Sequence, residues 1–193
     1  AKAMAKRAYC VNNCKQIGLM TYLYAQNYND MTPPHKGLTG GSNTLDGGWY
    51  QLFLNEKFAT WESFFCPSDD QRCYTDEHRI THGRISYGHN ARMLGGDSWI
   101  KTWNPQSTFA KYVNPARLSE IKKPENSVFT AENTACVNSG NLKGYYHVYP
   151  WSDGNNPTAY GGRHNGVCVI TWLDGHAGGV KGTTKAQLYS ADS

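Results

Sequence analysis

The stretch GGRHNGVCVITWLDGHAGGV, Gly161 to Val180, decides the fold of this chain. Within it VCVITWL (167–173) is apolar at both parities, with Cys168, Ile170 and Trp172 pointing one way and Val167, Val169 and Leu173 the other. That pattern predicts a strand buried on both faces, inside a sheet rather than at its edge. Asp174-Gly175 then reads as a two-residue type I′ hairpin turn, and HAGGV begins the return strand. His164 and Asp174 frame the strand. At about 3.3 Å per residue they stand roughly 30 Å apart if the strand is straight, too far for a catalytic dyad. Each therefore takes a structural role: Asp174 and Gly175 at the turn, and His164 bonding loop backbone where the chain enters the strand.

Working outward, AKAMAKRAYCVNNCKQIGLMTYLYAQNYND (1–30) has the spacing of an amphipathic helix. Cys10, Cys14, Ile17, Thr21, Tyr24 and Tyr28 lie on one side, and Lys6, Asn13 and Lys15 lie elsewhere. Asn29-Asp30 and Pro33-Pro34 stop it. WYQLFLNEKF (49–58) predicts a short second helix, and RISYGHN (84–90) and SVFTAE (127–132) predict strands. The remainder, residues 35–47, 66–83 and 95–117 in particular, reads as irregular loops. A length of 193 residues fits one domain, with a helix over 1–30 and loops and sheet over 31–193.

The formal charge is +4 with the cations scattered, and no nucleic-acid-binding motif accompanies it, so a nucleic-acid partner is not expected. A chain opening at Ala1 reads as a trimmed piece of a precursor.

The six cysteines, Cys10, Cys14, Cys66, Cys73, Cys136 and Cys168, are the disulfide candidates of an exported chain. Cys10 and Cys14 stand one helical turn apart, where bonding to each other would strain the helix. Pairing outward with Cys66 and Cys73 is the expectation, with Cys136–Cys168 as the third bridge and a local Cys66–Cys73 bridge as the rival. Cys66, Cys73, His78 and His82 also carry zinc-type donors, but the tight cysteine pair usual in zinc modules is missing. The expectation is thus no metal and no cofactor. Tyr145, Tyr146, His147, Tyr149, Trp151 and Tyr160 crowd one loop (145–160), which either packs on itself or offers a surface for stacking on sugar rings. The second option gives the alternative function, an extracellular carbohydrate-binding or adhesive module.

Five segments together carry a family resemblance: CVNNCKQIGLMTYLYAQNYNDMTPP (10–34), FFCPSDD (64–70), SYGHN (86–90), KKPENSVFTAEN (122–133) and the 161–180 stretch. Their order resembles that of bacterial prepilin-type proteins with a His-x9-Asp-Gly signature, relatives of type II secretion pseudopilins and type IV pilins. The resemblance implies an α+β, pilin-like fold in which a truncated N-terminal amphipathic helix packs on an antiparallel β-sheet with long irregular loops. It implies a structural, non-enzymatic filament subunit in the cell envelope, whose partners are other pilin or pseudopilin subunits. Contact with a membrane would come only through a hydrophobic anchor helix preceding this sequence. Two features depart from the family pattern: Cys14 stands where leucine is usual, and Cys73, Cys136 and Cys168 are additional. No stretch matches the calcium-ligand loop of some pseudopilins.

Overall fold

The computed structural model describes residues 1–35, 48–69, 85–90, 94, 114–134, 148, 158–159 and 162–181. Helix α1 spans Lys2–Asn27; its alanines and straight-chain residues such as Lys2, Met4, Lys6, Arg7, Lys15 and Gln16 favour the helix, and Gly18 is its one glycine. It ends where the sequence places the stop. Asn29 and Asp30 take left-handed conformations (φ 53° and 64°), and the Asp30 N–H turns back to the Ala25 carbonyl at 2.8 Å. Asparagine and aspartate tolerate that region better than most residues, so they terminate the helix without a glycine. A second helix, α2, covers Trp49–Asn55.

Among the described residues five strands follow: β1 Tyr87–His89, β2 Val128–Thr134, β3 Thr158–Ala159, β4 Val167–Trp172 and β5 Ala177–Lys181. All pairings are antiparallel, in the order β1-β2-β4-β5, with β3 pairing the end of β2. The architecture is α+β, and β4 lies inside the sheet, as its almost continuously apolar sequence predicts. The register puts Ala131 opposite Ile170 and Cys168 opposite Val180, with a shift between Val128 and Thr130.

The alternation along β4 sorts the core into two layers. Val169 and Leu173 face α1 and join Ile17, Met20, Tyr24, Trp49, Phe53 and Phe64. Cys168 and Ile170 face the other way, against Val128, Ala131 and Val148, with Trp172 packed beside them. Helix and sheet touch closely: a Cβ on Gly18 would lie 3.0 Å from both Cα and the carbonyl oxygen of Gly175. Thr171 Oγ1 donates to the Cys14 carbonyl (3.1 Å) and the Tyr22 hydroxyl to that of Leu173 (2.7 Å).

Two local expectations are corrected. The hairpin turn is not type I′, because Asp174 is not among the non-glycine residues with positive φ while Gly175 has φ +85°. Gly175 N–H bonds the Trp172 carbonyl (3.0 Å) and Trp172 N–H bonds that of His176 (2.9 Å). The loop is therefore three residues, Leu173-Asp174-Gly175, with glycine at its left-handed position. Asn13, read as lying away from the buried side, is 3% exposed. Its amide donates to the carbonyls of Phe65 (3.1 Å) and Glu62 (3.4 Å), so burial satisfies the side chain rather than stranding it.

Candidate metal centre

The Asn13 contact fixes the segment that carries Cys66 against α1, one turn from Cys10. A 3-10 turn over Trp61–Phe64 delivers the chain there. Backbone N–H of Cys66 donates to Ser86 Oγ (2.9 Å), and that of Ser68 returns to Cys66 Sγ (3.4 Å). Across this point come two further side chains. Glu132 lies in β2 opposite Tyr87, and its Oε2 accepts from the Val169 N–H at 3.0 Å. His164 ends a 3-10 turn over Gly162–His164, and the left-handed pair Asn165 and Gly166 (φ 56° and 82°) then swings the chain into β4.

Four donor atoms thus converge from four segments. Cys10 Sγ is 2.6 Å from Cys66 Sγ, Cys66 Sγ is 3.3 Å from His164 Nε2, and His164 Nε2 is 3.1 Å from Glu132 Oε1. One ligating atom from each residue lies within 4.8 Å of those of all the others. All four residues are buried: Cys10, Cys66 and Glu132 at 0% exposure and His164 at 6%. Thiolate, imidazole and carboxylate are the donor types that zinc takes, so this set could hold such an ion.

Electrostatics at the cluster are mutual. Burial alone would pull the His164 imidazole down, but its bonds to Cys66 and Glu132 and the Glu132 charge outweigh burial and lift it from 6.5 to about 9. The contact with Cys10, and then burial, push the Cys66 thiol well up, with His164 opposing them. These surroundings favour the charged form of the His164 imidazole and the neutral form of the Cys66 thiol.

Around the cluster lies a buried ion pair. Arg163 Nη2 stands 3.1 Å from Asp69 Oδ2 with both side chains 4% exposed. Ser86 Oγ donates to the same carboxylate at 2.6 Å, and Arg163 Nη1 to the Ser86 carbonyl at 3.4 Å. This network ties the turn of His164 to the turn of Cys66.

The sequence-derived candidates are thus rearranged. Cys66 does meet a cysteine of α1, Cys10, but the two are free thiols in contact and not the expected disulfide. Cys14, expected to pair with the 66–73 segment, is a buried free thiol. One turn further along α1 it faces β4, and burial pushes its thiol well up. Cys168 points to the opposite side of the sheet, where its Sγ is 3.4 Å from the Glu132 carbonyl oxygen. The other members of the zinc-type set, Cys73, His78 and His82, lie outside the described residues, as do Cys136 and the aromatic loop residues Tyr145, Tyr146, His147, Tyr149, Trp151 and Tyr160.

The sequence reading gives the His164 ring to loop backbone at the entry to β4; its Nε2 meets Cys66 and Glu132. Asp174 is at the other end of β4, its Oδ1 taking the His176 N–H (3.1 Å) and lying 2.5 Å from His176 Nδ1. The His176 ring stacks on Trp172 at 4.1 Å, so this exposed pair closes the hairpin. Glu132 has no spacing signal, although an acidic residue within a strand read from sequence is itself a mark of a special environment.

No family model matches the chain, and no curated protein or solved structure matches it.

Proposed function

We propose that this chain is a structural subunit, pilin or pseudopilin, of a type II secretion or type IV pilus-like filament. The observation that carries the reading is the outer side of α1. While Cys10, Cys14, Ile17, Thr21 and Tyr24 bury one side, Met4 (68% exposed), Leu19 (62%) and Leu23 (38%) stand on the opposite side of the wheel. A helix that covers a sheet with one face and presents apolar residues on the other is suited to pack against the equivalent helix of a neighbouring subunit. The helix-on-antiparallel-sheet architecture agrees with the fold the family resemblance implies.

On this reading the domain has no catalysis of its own, and the cluster of Cys10, Cys66, Glu132 and His164 is buried in its core. It would work in the cell envelope; among the described residues no helix is long and apolar enough to cross a membrane.

The test places a photo-crosslinking residue at Leu19, or at exposed Glu125 as control, in the full-length protein in the cells that make it. Products joined to a second pilin-class subunit should form from position 19 and not from 125. Monomer alone at both positions, or equal yields, would refute the filament reading.

A further inference from the structure

The geometry points to a structural zinc site formed by Cys10 Sγ, Cys66 Sγ, Glu132 Oε1 and His164 Nε2. The decisive feature is the single nitrogen His164 Nε2, which faces both Cys66 Sγ (3.3 Å) and Glu132 Oε1 (3.1 Å). A ring nitrogen carries one proton or one lone pair, so it makes one well-directed hydrogen bond. Two partners crowding that nitrogen, with a second thiol 2.6 Å from the first, is the arrangement left by donors that share one centre. A disulfide between Cys10 and Cys66 would account for two of the four groups. It would not account for His164 Nε2 facing Cys66 Sγ at 3.3 Å while the same atom also meets buried Glu132.

The dimensions agree with this assignment. Tetrahedral zinc with bonds of about 2.3 Å to sulfur and about 2.0–2.2 Å to nitrogen and oxygen separates neighbouring donors by roughly 3.3–3.8 Å. The two contacts of His164 Nε2, 3.3 and 3.1 Å, are already close to that, whereas the sulfurs at 2.6 Å would open by about 1 Å. Orienting bonds are also in place. The Val169 N–H holds Glu132 Oε2, turning Oε1 inward, and the Ser68 N–H is directed at Cys66 Sγ, where it stabilises a thiolate. On the ion the ligands would be two thiolates, one carboxylate and a neutral imidazole, so binding is coupled to proton release. With four protein ligands and no exposed face, the site is closed, and its role is to fasten α1 to β2 and to the entry of β4.

The test uses the full chain isolated without chelators or added oxidant. Elemental analysis should return one zinc per chain, and alkylation with mass spectrometry should find Cys10 and Cys66 unlinked. Cobalt loading should give the thiolate charge-transfer band and visible bands of a tetrahedral site. Glu132→Gln, which keeps the shape of the side chain, should weaken metal retention at least tenfold in competition with a chromogenic chelator. Should that variant fail to fold, chelating the unmodified protein should lower its melting temperature, and zinc should restore it. A Cys10–Cys66 disulfide in chains that carry no metal, or tetrahedral cobalt spectra that survive in His164→Ala, would overturn the assignment.

Discussion

Lowering the pH should expose a weak point at His89. This β1 residue is 0% exposed, its ring 5.1 Å from that of Phe129 and 6.2 Å from those of Trp49 and His35. Neither ring nitrogen has a hydrogen-bond partner among the described residues. Burial alone holds its imidazole down, from 6.5 to about 3. Above pH 6.5 both folded and unfolded chains carry it neutral, and it contributes no pH dependence. Below 6.5 the unfolded chain takes up a proton that the folded one refuses. Stability then falls by about 1.4 kcal/mol per pH unit until the folded form also titrates. Near pH 4.5 the loss from this one group is about 3 kcal/mol, a large share of the ~5–15 kcal/mol that holds a domain together. His89→Leu removes the proton site at similar volume. Urea unfolding of both proteins at pH 7 and pH 4.5 should show the wild type losing about 3 kcal/mol more than the variant between the two conditions, with unchanged m-values. Equal acid losses in the two proteins would refute the argument, because the carboxylates common to both cancel in the difference.

Gly175→Val should cost ~1–3 kcal/mol in denaturant unfolding, because valine meets both the left-handed backbone and Tyr22 Cε2 at 3.2 Å. Asp174→Asn should cost less, since asparagine still accepts the His176 N–H; the reverse order would contradict the turn geometry. Gly18→Ala should lower stability by ~1–3 kcal/mol although alanine is the better helix former, because its Cβ would press on the Gly175 backbone at 3.0 Å; a stabilised variant would show that the helix can shift freely. Asp69→Asn should cost ~3 kcal/mol or more by stripping the charge from the buried partner of Arg163, and an unchanged melting temperature would show that solvent reaches the pair. Tyr22→Phe should cost about 1 kcal/mol through loss of its bond to Leu173, read in the same urea assay.

Much of the scaffold is legible in the sequence because its signals are local. The double-sided apolar run 167–173 marks an interior strand, and β4 is one. Asn29-Asp30 marks the helix end, and the left-handed conformations are there. The opposite faces of Cys168 and Val169 follow from parity alone. The cluster is illegible for the converse reason: Cys10, Cys66, Glu132 and His164 are far apart in sequence, and only the antiparallel order of β2 and β4 under α1 gathers them. Motif spacing directs attention to near neighbours, so Cys66 is read with Cys73, His78 and His82, and His164 with Asp174. The one usable hint was Glu132 itself, a charged residue in a strand whose described neighbours are all buried. The turn type was missed because Asp-Gly fits both a two-residue loop and the last two positions of a three-residue loop, and the choice depends on where Leu173 packs.

The way α1 is attached also decides how the molecule carries mechanical load. Its fastenings run along the helix in sequence: Cys10 beside Cys66, Asn13 on the Phe65 carbonyl, the Cys14 carbonyl on Thr171, Gly18 against Gly175, and Tyr22 on Leu173. A pull along the helix axis loads these points in parallel, as in a lap joint under shear, whereas a pull perpendicular to the axis at the first residues peels them one by one. The domain is therefore stiffest against tension directed along its own N-terminal helix.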